Sequence, residues 1–243
     1  MKEKDIQYIF QRKEKKYLMN RHQVESFKKI IIKYMQQDKY GLHTICSIYY
    51  DTDDFQLSRR SIEKPIYKEK LRVRSYGIPK DEDKVFLEIK KKYKGIVYKR
   101  RESLNLKQAR AYLNHGVKPS KDSQILREID YLKNFYGVVP KVFLAYDREA
   151  FFGRENRDIR ITFDRNIRSR DYNLDLALGD YGELLLADDI YVVEIKVPEA
   201  MPLWLSEILS QLEIYPQSFS KYGNAYKKIF LATGGKEICS QIS

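Results

Sequence analysis

A strict two-residue alternation between charged and apolar side chains runs through residues 70–101 and limits what this chain can become. The stretch reads KLRVRSYG, then an acidic turn at Asp81–Asp83, then VFLEIKKKYKGIVYKRR. Side chains on a strand point to opposite faces in turn. Lys70, Arg72 and Arg74 therefore share one face, and Leu71 and Val73 the other. Val85, Leu87 and Ile89 oppose Phe86, Glu88 and Lys90; after Gly95, Val97, Lys99 and Arg101 share a face. A helix cannot use that period, so these residues predict strands with one covered face and one charged face. A solvated sheet has the same appearance over a short stretch.

The same pattern recurs along the chain. Ile9–Met19 alternates, with Phe10, Arg12, Glu14 and Lys16 on one face. Asn20 predicts the cap of a helix reaching about Gln37, with Val24, Phe27, Ile31, Tyr34 and Met35 near helical spacing. Thr44–Asp51 reads as a strand, followed by a polar turn with Asp53 and Asp54 and a helical turn over Phe55–Arg60. These aspartates read as turn formers rather than metal ligands. Asn105–His115 and Asp122–Tyr136 read as helices closed by Gly116 and Gly137. Further strands are predicted at Val142–Ala150, Asp158–Asp164, Glu183–Ala187 and Tyr191–Pro198, and helices at Pro202–Tyr215 and Phe219–Phe230. Trp204 reads as a core anchor.

Composition narrows the function classes. The chain has 243 residues and a formal net charge of +12, from 46 Lys+Arg against 34 Asp+Glu. That surplus predicts an anionic partner: nucleic acid, an acidic membrane surface or phosphate compounds. Two cysteines and three scattered histidines predict neither a disulfide framework nor a zinc site or histidine-based triad. No apolar run is long enough to span a membrane and the charged start does not read as a signal peptide, so a cytoplasmic setting is expected. With no linker or low-complexity segment, residues 1–233 are expected to form one domain, with 234–243 a poorly ordered tail.

Energetics then orient the sheet. Helices with apolar stripes bury them against apolar strand faces. They are expected to cover Leu71/Val73, Val85/Leu87/Ile89, Ile159/Ile161/Phe163 and Val193/Ile195. The charged parity is left facing a lumen, which repels itself unless an anion or water fills it. The expected fold is α+β: a closed eight-stranded antiparallel β-barrel with helices packed outside. Its candidate lumen groups are Lys16, Arg72, Arg74, Lys90, Lys99, Arg148, Arg160 and Lys221, with Glu14, Glu88 and Glu194. Arginine forks and lysine ammoniums of that kind suit phosphate oxygens, and the carboxylates suit a divalent cation that accompanies polyphosphates.

Eight pieces in order, FQRKEKKYL, SIYYDT, KLRVRSYG, VFLEIKKK with GIVYKRR, YDREAF, DIRITFD, VVEIKVP and FSKY, cover about residues 10–222. On them the chain resembles the CYTH-like triphosphate tunnel metalloenzymes, and within these the vacuolar transporter chaperone (VTC) domain, the polyphosphate polymerase branch. The resemblance implies a tunnel that binds ATP and inorganic polyphosphate with Mn2+ or Mg2+. It implies phosphate contacts from Lys16, Arg72, Arg74, Lys90, Lys99, Arg148 and Arg160, a metal ligand in Glu194, and further phosphate contacts from Ser220 and Lys221. The sequence departs from the branch at Ser218, where a lysine is expected. It also departs in the first strand, where Arg12, Glu14 and Lys16 retain one glutamate of an ExExK signature; one metal site is therefore expected rather than two.

The implied reaction transfers the γ-phosphoryl group of ATP to a growing polyphosphate chain. Metal-dependent triphosphatase activity and binding without turnover are the alternatives. Any membrane partner would be a separate chain, and nucleic acid is the least favoured partner. Several residues have blander readings: Glu14 and Glu88 as charge balance for lysines, Ser220 as a helix cap, and Arg100 or Arg101 in place of Lys99 should a bulge shift the parity.

Overall fold

The computed structural model describes residues 13–63, 65–94 and 96–232. Phe10, Arg12, Gly95 and the expected tail lie outside the described residues. The strands are β1 (Lys13–Asn20), β2 (Met35–Gln37), β3 (His43–Asp51), β4 (Tyr67–Tyr76), β5 (Lys84–Tyr93), β6 (Ile96–Asn105), β7 (Val139–Gly153), β8 (Arg160–Arg170), β9 (Glu183–Leu184) and β10 (Ile190–Val197). The helices are α1 (Arg21–Ile31), α2 (Gln56–Ile62), α3 (Leu106–His115), α4 (Gln124–Tyr136), α5 (Leu203–Gln211) and α6 (Lys221–Ala232).

Hydrogen bonding orders the strands β1-β10-β8-β7-β3-β4-β5-β6, with β2 beside β7 and β9 beside β8. The pairs β1–β10, β3–β4, β3–β7, β4–β5 and β5–β6 are antiparallel. The fold is α+β, as expected, but closure is not observed. The sheet has ten strands, and among the described residues no ladder joins β1 to β6. Alternation dictates which face a side chain takes and says nothing of whether the first and last strands pair. Both end strands also carry exposed charge, Lys13–Lys15 on β1 and Lys99–Arg101 on β6, a pattern that tolerates an unpaired edge.

The chain forms two compact units. The first comprises residues 1–41, 149–163 and 189–218; the second comprises 42–148, 164–188 and 219–243. Each has its own core. In the first, Val24, Phe27 and Ile31 of α1 and Leu205, Ile208 and Leu209 of α5 bury against Ile159, Ile161, Phe163, Val193 and Ile195. In the second, Leu106, Ala109, Tyr112 and Leu113 of α3 and Leu126, Ile129 and Leu132 of α4 bury against Leu71, Val73, Val85, Leu87 and Ile89. Each such side chain withdrawn from water contributes about 1.5–3 kcal/mol. The apolar parity read from the sequence is thus the helix-covered parity.

The helix ends follow local chemistry. Asn20 and Asn105 each accept the backbone N–H three residues on at 2.8 Å, and Gln23 and Gln108 accept the cap N–H in return at 3.2 Å. Gly116 and Gly137 follow α3 and α4 at φ +71° and +63°, which favours glycine. The helix expected to reach Gln37 stops at Ile31. Residues 35–37 pair with β7 instead, Met35 opposite Gly153, which seats Met35 in the core. Tyr34 leaves the helix to stack on Trp204, at 4.2 Å between ring centres and 9° between planes.

Candidate functional site

The second unit brings most of the expected basic residues together. Register sets Tyr49, Arg72, Glu88 and Arg101 on one rung of β3, β4, β5 and β6, so they share a face. Glu88 is 1% exposed. Arg72 Nε donates to its Oε2 at 2.7 Å, and Arg101 Nε to its Oε1 at 2.8 Å with Arg101 Nη2 adding a second contact. Lys99 Nζ lies 3.1 Å from Oε1 and Arg74 Nη1 3.7 Å from Oε2. One carboxylate therefore faces four cations. Burial would raise the Glu88 carboxyl, but Arg72, Arg74, Lys99 and Arg101 outweigh it and hold it well below its ordinary range.

The surplus positive charge perturbs its neighbours. Burial, with Arg72 and Arg74 adding to it, lowers the Lys99 ammonium to about 8 against the pull of Glu88. Burial alone would raise the Tyr49 phenol; Arg72, Arg74 and Lys70 bring it down to about 8. Arg72 Nη1 donates to Tyr49 Oη at 2.8 Å, and the Tyr49 ring stacks on Tyr222 at 4.4 Å. Lys90 is exposed, opposite Lys70 on β4 and Lys99 on β6.

A second carboxylate in this unit organises two more expected residues. Asp164 is fully buried. Arg148 grips it with both arms of its fork, Nε to Oδ1 at 2.6 Å and Nη2 to Oδ2 at 2.7 Å, and Lys221 Nζ donates to Oδ2 at 2.5 Å. Both cations lie over the Tyr146 ring, 5.1 and 4.6 Å from its centre, and Arg74 Nη2 donates to Tyr146 Oη at 3.4 Å. Lys221 opens α6, where the helix dipole opposes a cation; Asp164 supplies the compensating charge. Ser220 accepts the Gly223 N–H at 3.1 Å and caps α6. Asp51 is buried too. It accepts backbone N–H groups of Thr52, Leu57 and Ser58 and the Tyr222 hydroxyl at 2.7 Å, the turn-forming role read from the sequence.

The first unit holds the remaining expected residues. Glu14 lies opposite Lys196, and Lys16 opposite Glu194, on the β1–β10 ladder. Lys16 Nζ is 3.4 Å from Glu194 and 3.8 Å from Glu14; Lys196 Nζ is 3.5 Å from Glu14 and 3.7 Å from Glu194. Arg160 is exposed at the start of β8. No cluster of three His, Cys, Asp or Glu suited to a metal occurs among the described residues. Glu14 and Glu194 are each engaged by Lys16 and Lys196, so among the described residues they do not build a cage for a hard cation from protein alone.

Asp164 and Tyr222 were not singled out as site residues from the sequence, and Arg101 entered only as a substitute for Lys99. Parity held a signal for two of them, since Arg101 shares a face with Lys99, and Asp164 shares one with Arg160. Tyr222 gave none, because only tertiary packing brings it to Tyr49.

The chain thus combines an α+β fold with a basic sheet face around buried carboxylates, and solved structures agree on the fold. A proposed adenylate cyclase of Bacillus halodurans is 17% identical, with a TM-score of 0.54 over 85% of this chain and 92% of that chain. A Hippeastrum protein, described as a proposed adenylyl cyclase with a dominant triphosphatase activity, is 15% identical, with a TM-score of 0.52 over 91% of this chain and 95% of that chain. No curated protein matches the sequence. The VTC domain family model matches residues 11–230. The chain belongs to the VTC domain family.

Proposed function

We propose that this VTC domain binds the phosphates of ATP and inorganic polyphosphate and transfers the γ-phosphoryl group of ATP to the polyphosphate end. The reading rests above all on the Arg72–Arg74–Lys99–Arg101 set around a single Glu88, whose surplus charge a bound polyanion would offset. Arg72, Arg74 and Lys90, with Arg148 and Lys221, are proposed to grip the transferring group. Lys99 and Ser220, and in the first unit Lys16 and Arg160, are proposed as further phosphate contacts. Glu88 orders the arginines, and Glu14 balances Lys16 and Lys196. Glu194 would hold Mn2+ or Mg2+, which when bound would neutralise phosphate charge.

The chemistry asked of the side chains is positioning and charge stabilisation. A terminal oxygen of the acceptor forms a bond to the γ-phosphorus, the bond to the β–γ bridging oxygen breaks, and ADP leaves. Arginine and lysine donors stabilise charge on the equatorial oxygens throughout. A phosphate-chain nucleophile is already anionic and needs no general base, whereas water would. That favours polymer transfer over hydrolysis; the Hippeastrum protein's triphosphatase activity keeps hydrolysis as the second reading.

The test is purified protein with ATP and Mn2+ or Mg2+, reading phosphate release and polymer length beside an Arg72→Ala control. A ladder of long polymer that vanishes in the variant is the expected result. Free phosphate without polymer would replace the reading with a triphosphatase. Unchanged turnover in Arg72→Ala would overturn the role given to the cluster.

A further inference from the structure

The sheet face that holds Glu88 ends in aromatic rings. On β4 the same parity carries Arg72, Arg74 and then Tyr76; Phe86 of β5 lies opposite Arg74, and His43 of β3 shares the parity of Tyr49. The Tyr76 ring meets Phe86 edge-on, at 5.7 Å and 78°, and His43 at 6.0 Å and 51°. Neither ring lies flat on it. Tyr49, on the same face, is filled differently: Tyr222 covers its ring at 7° between planes, and it is 8% exposed. Tyr76 is 51% exposed.

One side chain joins these rings to the cation cluster. Arg101, whose Nε donates to Glu88, places its guanidinium 4.4 Å from the Phe86 ring centre and donates through Nη2 to Tyr76 Oη at 3.4 Å. The backbone beside Tyr76 is fixed on both sides. Ser75 Oγ donates to the Gly77 carbonyl and the Gly77 N–H to the Thr44 carbonyl, each at 2.8 Å. Charge gives the face a direction. The turn beyond Tyr76 exposes Asp81, Glu82 and Asp83 against Lys80 and Lys84, so acids outnumber bases there. The rung beyond Arg72 and Arg101 carries Lys99 instead. Phosphates are favoured at the Lys99 end, and an uncharged aromatic group at the Tyr76 end. Tyr76 and Arg72 stand four residues apart, about 13 Å at strand rise, which leaves room for a nucleoside ahead of phosphates at Arg72.

We propose that Tyr76, held at its angle by Phe86 and His43, is the platform on which the base of a nucleoside triphosphate stacks, with the phosphates running toward Arg72 and Lys99. The proposal rests on the phosphate-binding reading above and adds the place of the base and the direction of the nucleotide. Stacking uses the π-face that every base has, so it holds ATP and GTP alike. Its test measures, by calorimetry, the affinity of ATP, GTP and tripolyphosphate for the native protein and for two variants. Tyr76→Leu keeps an apolar side chain and removes the ring. Tyr76→Phe keeps the ring and removes the hydroxyl that meets Arg101.

Tyr76→Leu should lose about tenfold in affinity for ATP and for GTP, the size of one base–aromatic stack, while binding tripolyphosphate as the native protein does. Tyr76→Phe should keep the native affinity for all three. Intact tripolyphosphate binding shows that the leucine variant is folded and its cation cluster in place. Unchanged ATP affinity in Tyr76→Leu would overturn the platform. So would an equal loss for tripolyphosphate, which would put the effect of Tyr76 on Arg101, and so would a loss confined to ATP with GTP untouched, which would mean that the edge of the base is read. Failure of the native protein to bind tripolyphosphate at all would overturn the underlying reading and the platform with it.

Discussion

At the scale of single residues, Glu88 is the most exposed to test. Glu88→Gln keeps the shape and removes the charge that four cations share, leaving them to repel one another in a half-buried setting. The loss should be about 3–5 kcal/mol, the cost of stripping one partner from a buried ion pair, read by urea denaturation. Tripolyphosphate should raise the Tm of the variant more than that of the native protein, since the ligand then replaces the missing charge; equal shifts would sink the idea. The same cluster predicts a pH dependence. Lys99 titrates near 8 and is charged below that pH; Tyr49 titrates near 8 and is neutral below it. Raising the pH from 7 to 9 therefore removes a positive charge and adds a negative one beside Arg72, Arg74, Lys70 and Glu88. Affinity for tripolyphosphate should fall over that window, measured by calorimetry, and Tyr49→Phe should make the fall shallower. Arg72, Arg74, Lys99 and Glu88 could be read from parity alone, because strand period fixes the face. That Glu88 would hold the arginines could not, because the partners depend on which strands are neighbours.

At the scale of elements, the caps were the most legible features. Asn20 reads as a cap and is one; Asn105 and Gln108, three apart before an apolar run, form the same reciprocal bonds, a cap not named from the sequence. Asn105→Ala should cost about 1 kcal/mol of stability and leave tripolyphosphate affinity unchanged, because α3 lies on the apolar side of the sheet. A matched loss of affinity would show that α3 reaches the anion site. Where elements were misread, a tertiary contact outweighed the local period. Tyr34 and Met35 fit the stripe of α1, yet Met35 gains a β7 partner and a core position, and Tyr34 a ring to stack on. Closure of the sheet was illegible for a related reason. Alternation repeats identically in an open and a closed sheet, so parity does not encode the difference; the charges of Lys13–Lys15 and Lys99–Arg101 tolerate an open edge without requiring one.

At the scale of the whole molecule, the net charge of +12 is compatible with any polyanion, and only its placement discriminates. Arg72 and Arg74 are largely withdrawn from solvent, with side chains 21% and 7% exposed, whereas the charges of Lys118 and Lys121 stand mostly in water. Salt screens the second kind far more than the first, the Debye length being about 8 Å at physiological ionic strength. Two ligands should therefore separate as salt is raised. Duplex DNA, held by scattered surface lysines, should weaken with a slope of about 0.9 per phosphate neutralised. Tripolyphosphate, held by the arginines around Glu88, should weaken more gently. Arg72→Ala should abolish most tripolyphosphate binding and leave the weak DNA binding in place. Fluorescence anisotropy with labelled DNA, and calorimetry with tripolyphosphate, across a salt series would decide it. Equal slopes, with Arg72→Ala silent for both ligands, would mean that the charge acts as a diffuse field and that the Glu88 cluster is only part of the scaffold.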